Sequence, residues 1–252
     1  MRLLSWNVNG IRACIKKGFT EWLEKESPDI LCLQETKAHP EQLNAFIEGL
    51  KVYKTYWNNP VRKGYAGVAI FSGVEPVSVS RDFGPRAFDT EGRMLGIDYG
   101  EFILLNVYFP NGGMGEHRLK YKLRFYDEFL KFIDGLKNRN IIVCGDVNTA
   151  HTEIDLARPR ENEMVTGFLP EERAWIDKLI SHGYLDTFRY FDKTPGQYTW
   201  WDYKTAARER NVGWRIDYFF VSTRLSQKLE KAFILSDITG SDHCPIGIEI
   251  DL

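Results

Sequence analysis

Ile141-Ile142-Val143-Cys144-Gly145-Asp146-Val147-Asn148-Thr149 is the stretch on which the fold turns. An apolar run rich in β-branched residues passes through a glycine into an acid and an amide. Such a run reads as a strand covered on both faces that ends in polar side chains. About half a chain earlier, Ser5-Trp6-Asn7-Val8-Asn9-Gly10 echoes it, closing the apolar run Leu3–Trp6. Two Asx-Val-Asn strand ends so far apart have two readings, chance or a duplicated half with two sheets packed together. Working outward, runs of strand length recur at Ile30–Leu33, Gly67–Phe71, Ile103–Tyr108, Ile216–Val221 and Ile246–Ile250. Helical spacing lies between them. Phe19, Trp22 and Leu23 share a face in Phe19–Lys25. Leu119, Leu123, Tyr126, Leu130 and Ile133 share one in Leu119–Leu136. A third helix, Glu171–Leu179, follows Pro170. Strands mixed with helices from end to end predict an α/β or layered α+β domain.

The chain has 252 residues, enough for one large domain or two small ones. No Gly/Ser linker or low-complexity tract divides it. Hydrophobic content of 43% with 27% charged residues excludes a disordered chain, a collagen and a coiled coil. Mean hydropathy is -0.35, and no stretch approaches the ~18 apolar residues of a membrane span. The start does not read as a signal peptide, so the expected setting is cytoplasmic and away from membranes. Lys and Arg number 33 against 35 Asp and Glu, a formal net charge of -2. That removes the argument from a basic excess, but clustered bases beside cation-holding acids still suit a polyanion. Cys14, Cys32, Cys144 and Cys244 form no C-x-x-C pair and read as buried free thiols.

The polar residues are informative by position. Leu3–Trp6 runs into Asn7 and Asn9; Asp29–Leu33 into Gln34 and Glu35; Ile103–Val107 into Tyr108; Ile141–Cys144 into Asp146 and Asn148. Asp217 follows Ile216, and Ser241-Asp242-His243 precedes the last run. Asp, Asn and Gly are ordinary turn residues after a strand, whereas Glu35, Tyr108 and His243 are not. Asn7, Glu35, Asp146, Asn148 and Asp242 offer only oxygen ligands, which suits Mg²⁺ or Mn²⁺. His243 is the one histidine in a convincing setting; His39, His117, His151 and His182 read as surface or loop residues. Asp217 paired with His243 would orient an imidazole. No G-x-S-x-G elbow supports acyl transfer, and the set fits phosphodiester hydrolysis better.

Gly196–Arg215 carries Tyr198, Trp200, Trp201, Tyr203 and Trp214 among Lys204, Arg208, Arg210 and Arg215. Bases interleaved with aromatics suit a nucleic-acid groove; the competing reading is an aromatic core segment, strongest at Trp201. Other basic clusters are Arg12/Lys16/Lys17, Arg62/Lys63 beside Gly64-Tyr65, and Lys120/Lys122/Arg124, the last patterned like a helix surface.

SWNVNGIRA, DILCLQETK, KGYAGVAIFS, YFPNG, CGDVNTAHTEIDL, NVGWRIDYFFVS and SDHCPI follow one another over the whole chain. In that order they closely resemble the exonuclease III family of apurinic/apyrimidinic (AP) endonucleases. The resemblance implies an α+β fold, a four-layer α-β-β-α sandwich like DNase I, with one catalytic domain over residues 1–252. It implies hydrolysis of double-stranded DNA 5′ to abasic sites with Mg²⁺ or Mn²⁺, with 3′-phosphodiesterase and 3′→5′ exonuclease activity on blocked 3′ ends. The enzyme would be a monomer working at the nucleoid. By resemblance, Asn7, Glu35 and Asp242 are metal ligands, with Asp146, Asn148 and His243 around the same ion. Asp146 moves the proton, Asn148 steadies the pentacovalent phosphate, and Tyr108 lies beside the scissile phosphate. His243, paired with Asp217, serves as base or phosphate contact. Lys37 lies near the metal. Trp200, Trp214 and Ile216 admit a flipped baseless sugar, and Arg12, Lys17, Gly64 and Tyr65 contact the backbone. Asn9 stands where some relatives carry Asp, and Met114 where human-type enzymes carry an Arg that enters the duplex. A same-fold phosphatase or phospholipase is the alternative; it would share the acids but lack the Trp- and Arg-rich stretch.

Overall fold

The computed structural model describes residues 1–84, 88, 90–113 and 115–252; Met114 lies outside the described residues. Among the described residues there are fourteen strands: β1 Arg2–Asn7, β2 Ile30–Gln34, β3 Lys54–Asn58, β4 Val68–Ser72, β5 Ser78–Ser80, β6 Met94–Asp98, β7 Ile103–Tyr108, β8 Ile141–Asp146, β9 Tyr184–Asp186, β10 Trp200–Trp201, β11 Gly213–Trp214, β12 Asp217–Ser222, β13 Leu229–Ile234 and β14 Ile246–Ile250. They form two six-stranded sheets, β13-β14-β1-β2-β4-β3 and β5-β6-β7-β8-β12-β9, plus the ribbon β10-β11. Each large sheet has one parallel pair at its centre, β1 with β2 and β7 with β8; the other pairings are antiparallel.

The duplication is therefore present in the topology. β1-β2-β3-β4 repeats as β7-β8-β9-β12, and each half sends its closing hairpin, β5-β6 or β13-β14, into the other half's sheet. The register differs from the Asx-Val-Asn echo. That echo aligns β1 with β8, whereas the topology aligns β1 with β7 and β2 with β8. The two motifs resemble each other because both end strands at one site.

The sheets pack face to face over a core of Leu3, Ile30, Cys32, Val68, Ile97, Leu104, Ile142, Cys144, Phe219 and Ile248. Leu4, Trp6, Leu31 and Phe71 point out from the first sheet against Phe19, Trp22 and Leu23 of helix Phe19–Glu26. Leu105, Val107, Val143 and Phe220 point out from the second sheet. They meet Phe125, Phe129 and Ile133 of helix Glu116–Gly135 and Trp175, Ile176 and Leu179 of helix Pro170–Ser181. These are the four expected layers. Helix and strand centres match the sequence expectations. The strands not foreseen are β10 and β11, of two residues each, and β3, β5, β6, β9 and β13. β3, β5, β9 and β13 are the outermost strands, and Glu230 and Lys231 of β13 are exposed; β6 is interrupted by Gly96. None presents a continuous apolar run.

Strand alternation decides where the site forms, because every second side chain points into the space between the sheets. On β1 the inward positions run Leu3, Ser5, Asn7; on β2 Ile30, Cys32, Gln34; on β7 Leu104, Asn106, Tyr108; on β8 Ile142, Cys144, Asp146. Each sequence passes from apolar to polar toward the carboxyl end. Registers Asn7↔Gln34 and Tyr108↔Asp146↔Asp217 bring those ends level. One layer below, Gln34 Nε2 donates to Asn106 Oδ1 at 2.7 Å and to Ser5 Oγ at 3.0 Å, joining the sheets through buried hydrogen bonds. Gly145 makes the β7–β8 approach possible: at φ 132°, a Cβ there would lie 2.0 Å from the Val107 carbonyl oxygen. All four cysteines are buried and free.

Candidate active site

Asn7 and Asp146 meet across the two sheets. Asn7 Nδ2 donates to Asp146 Oδ2 at 2.9 Å and to Glu35 Oε1 at 3.1 Å. Glu35 is the first residue after β2 and takes a left-handed φ of 49°, as does Asn148 after β8 at 55°. These sharp turns end both strands at the site. Burial would push the Glu35 carboxyl up, but Lys37, whose ammonium lies 2.8 Å from Glu35 Oε2, holds it below the usual range. The Tyr108 phenol adjoins Glu35; burial and then the Glu35 charge keep it protonated well above its ordinary range.

The second half supplies a charge-rich chain. His243 Nδ1 faces Asp217 Oδ2 at 2.8 Å, so Nε2 looks toward Asp146 Oδ2, 3.9 Å away. Thr199 Oγ1 donates to the same Asp217 oxygen at 2.6 Å and accepts from the backbone of Ile216 and Asp217. Burial alone would lower the His243 pKa; the Asp217 carboxylate outweighs it, and His243 is pushed up to about 10. Burial raises Asp146 to about 8, with Asp217 adding to the effect. Asp146 Oδ1 accepts from the Asn148 backbone at 2.7 Å, and Oδ2 from Asn148 Nδ2 at 3.0 Å. Asn148 Nδ2 also donates to the Phe109 carbonyl, and Asn111 Nδ2 donates to Asn148 Oδ1 at 2.9 Å. To reach a phosphate, the Asn148 amide has to release one of these partners.

The residues present fit a divalent cation. Asp146, Asp217 and Asp242 surround the His243 imidazole and Glu35 joins them through Asn7, more negative charge than His243 and Lys37 neutralise. Asp146, Asp217 and His243 bring ligand atoms within 4.8 Å of one another. Within that trio, Asp217 spends Oδ2 on Thr199 and His243 and keeps Oδ1 buried without a partner among the described residues. The carboxylates that line the cavity are Glu35, Asp146 and Asp242. Asp242 accepts from Asn9 Nδ2 at 2.9 Å and from Trp200 Nε1 at 3.1 Å, and stands farther round the rim.

A cavity of about 350 Å³ joins these groups to an apolar wall. Glu35, Tyr108, Asp146, Asn148, Asp242 and His243 line one side; Trp200, Trp214 and Ile216 line the other. Ribbon β10-β11 pairs Trp200 with Trp214 and is stitched to the His243 loop by Trp201 N to Asp242 O and Cys244 N to Thr199 O. Asn111 and Val165–Gly167 also line the cavity and were not singled out in the sequence. Asn111 lay unread inside the YFPNG motif, and the Val165 segment carries no chemical signal.

The remaining expectations divide. Arg12, Lys16, Lys37 and Gly64 line a broad groove of about 730 Å³, connected to the site through Lys37. Lys17 is exposed, with its ammonium 5.6 Å from the Tyr203 ring centre. The Tyr65 hydroxyl receives Arg93 and Arg118. Three basic residues read as surface or groove cations are corrected. Arg215 is buried and paired with Asp155 at 2.7 Å and Asp186 at 2.7 Å. Arg208 stacks on the buried Trp201 and donates to backbone carbonyls. Lys122 is wholly buried against Glu172. Each is held by acids or carbonyls distant in sequence.

Fold and site define a hydrolase with a buried carboxylate–imidazole cluster opening into an aromatic pocket. Residues 4–243 match the Endonuclease/Exonuclease/phosphatase family, and the chain belongs to it, as the resemblance implied. It is 41% identical to an exodeoxyribonuclease of Bacillus subtilis (strain 168) over 100% of both chains. It is 40% identical to a DNA-(apurinic or apyrimidinic site) endonuclease of Dictyostelium discoideum, over 100% of this chain and 71% of that one. Among solved structures, a 3′ phosphatase from Neisseria bound to a product DNA hairpin matches with a TM-score of 0.92 at 27% identity, covering 100% of both chains. Among the described residues, no helix is long and apolar enough to cross a membrane.

Proposed function

We propose that this chain is a DNA repair nuclease of the AP endonuclease, exonuclease III type, hydrolysing the phosphodiester 5′ to abasic sites in double-stranded DNA. The observation that carries this reading is the single cavity shared by Asp146, His243 and Glu35 and by Trp200, Trp214 and Ile216. The apolar wall takes an extruded sugar. A baseless sugar costs less to extrude than a paired nucleotide. A phosphoinositide or sphingomyelin enzyme has no use for that wall. A relative named exodeoxyribonuclease and structural neighbours named 3′ phosphatase and 3′-5′ exonuclease support a further 3′→5′ exonuclease activity and, by the same hydrolysis at a 3′ end, a 3′-phosphodiesterase activity.

The oxygen-rich ligands favour Mg²⁺ or Mn²⁺ over zinc. Glu35 would hold it with Asn7, Asp146, Asn148, Asp242 and His243 around it, and a bound ion supplies positive charge fixed in advance for the phosphate. His243, oriented by Asp217, presents Nε2–H to a phosphate oxygen. Asp146 accepts the proton of the attacking water, and Tyr108 and Asn148 contact the phosphate undergoing attack. Arg12, Lys17, Lys37, Gly64 and Tyr65 follow the backbone on either side. The working unit is a monomer on duplex DNA in a cytoplasmic, nucleoid-associated setting, in line with a bacterial relative of full matching length.

The test uses duplexes containing an abasic-site analogue, a deoxyuridine, or neither, with Mg²⁺ or with EDTA. Rapid cleavage of the abasic duplex in Mg²⁺ alone is expected. Full activity in EDTA rejects the cation, and equal cleavage of all three duplexes rejects the pocket.

A further inference from the structure

Behind the pocket lies a buried ion pair that the reaction does not touch. Lys122 belongs to helix Glu116–Gly135 and Glu172 to helix Pro170–Ser181, and both side chains are 0% exposed. Lys122 Nζ donates to Glu172 Oε1 at 2.6 Å, to the Asn148 carbonyl at 2.7 Å and to Thr149 Oγ1 at 2.8 Å. Its three protons are thereby used. Glu172 Oε1 also accepts from Thr166 Oγ1 at 2.8 Å, and Oε2 accepts from the backbone of Gly167 and of Leu169.

The pair thus grips two adjoining parts of the cavity lining. Through Lys122 it fixes the backbone of Asn148. Through Glu172 it fixes Thr166 and Gly167, which line the same cavity. Gly167 sits directly against the aromatic wall: a Cβ there would lie 3.2 Å from Trp214 Cζ3 and 3.4 Å from the Asn148 carbonyl. A buried ion pair is a poor source of stability, since an apolar pair of similar volume usually serves as well or better. Its fixed, directional contacts do something an apolar pair does not: they set a distance.

We propose that Lys122 and Glu172 are positioning residues that lock the Asn148 turn against the Thr166–Gly167 segment and so fix the place of Asn148 relative to the Trp214 wall of the sugar pocket, which determines selectivity for a deoxyribose without its base. The inference rests on the abasic-site reading. Misplacing a reacting group by about 1 Å costs up to 10²-fold in rate. Loss of the pair therefore lowers turnover on an abasic duplex about 10- to 100-fold, while KM, set by the distant phosphate contacts, changes little.

The experiment replaces both members together, Lys122→Met with Glu172→Leu, so that no lone charge stays buried. Thr166→Val is the second variant; it removes one hydroxyl contact to Glu172 and leaves the pair in place. Melting temperature, kcat and KM are measured on an abasic duplex and on an undamaged duplex. Expected are a lowered melting temperature, since the Gly167 and Leu169 amides lose their acceptor, a lowered kcat on the abasic duplex and a smaller abasic-to-undamaged ratio. Thr166→Val moves the ratio in the same direction by less, and decides the matter if the double variant does not fold. Lys122→Arg, which keeps the charge, recovers part of the ratio. Parallel loss of both activities at an unchanged ratio overturns the proposal and leaves the pair a structural one. If wild type fails to prefer the abasic duplex, the abasic-site reading falls first.

Discussion

Two buried clusters of charge lie on either side of Ile216, and they differ in balance. On one side Arg215 and Arg189 meet Asp155 and Asp186, two cations with two acids. Against the cost of burial, Arg215 and Arg189 hold the Asp155 carboxyl well below the usual range. The cluster is neutral and every charge has a partner, which is how a structural network looks. On the other side Asp146, Asp217 and Asp242 surround one imidazole, with Glu35 and Lys37 beside them. There burial raises Asp146 to about 8, and against burial Asp217 raises His243 to about 10, Lys37 holds Glu35 below its ordinary range and His243 does the same to Asp242. Surplus acid is tolerated in a fold when a substrate or cation is to meet it. Balance separates the cluster that holds the molecule together from the one proposed to work, and burial does not, since each mixes fully and partly buried groups.

Substitutions on the two sides should therefore have crossed effects. Asp146→Asn and His243→Ala should each lower single-turnover cleavage by about 10²–10⁴, the usual worth of acid–base groups. DNA affinity should fall far less. The melting temperature of Asp146→Asn should stay level or rise, because a crowded carboxylate is relieved. Cleavage within a few-fold of wild type for either variant would remove it from the mechanism.

Asp155→Asn should show the reverse pattern. It leaves Arg215 buried with one partner fewer, at a cost of about 3–5 kcal/mol. Below its melting temperature, kcat should stay within a few-fold of wild type. Denaturant unfolding and single-turnover kinetics on the same preparation would show it. A catalytic collapse in a stably folded Asp155→Asn would break the division.

A smaller effect sharpens it through pH. With divalent ions chelated, His243 titrates near 10 in the fold against 6.5 for a free imidazole. Its pairing with Asp217 contributes stability in full below about pH 6.5, and that contribution is lost as pH rises toward 10. Asp155, being depressed, contributes stability above the ordinary carboxylate range and loses it as pH falls through that range. A plot of melting temperature against pH should thus lose its alkaline slope in His243→Asn and its acid slope in Asp155→Asn. Unchanged slopes would show that neither cluster carries the charges assigned to it.

Much of the working cluster was legible in the sequence because strands carry it. The alternation that buries Leu3, Ile30, Leu104 and Ile142 also points Asn7, Tyr108 and Asp146 between the sheets, and Glu35 follows directly on β2. The balanced clusters were not legible. A lone Arg or Lys in a sequence bears no mark of its partner: Glu172 is 50 positions from Lys122, and Asp155 and Asp186 are 60 and 29 positions from Arg215. Those bases therefore read as groove or surface cations. Thr199, which orients Asp217, was hidden in the same way among the aromatics of Gly196–Arg215. The repeat was legible as an idea, but its register was not, since two strand ends at one site resemble each other whichever half they come from.

The central claim is hydrolysis on the 5′ side of an abasic site by the acid-rich cluster. Its most direct test is the position and chemistry of the cut in a duplex with a single abasic site, read by mass on both product strands. Wild type with Mg²⁺ should leave a 3′-hydroxyl on one fragment and a 5′-deoxyribose phosphate on the other, with neither formed by Asp146→Asn. A cut on the 3′ side of the site, or the same products from Asp146→Asn at the wild-type rate, would contradict it.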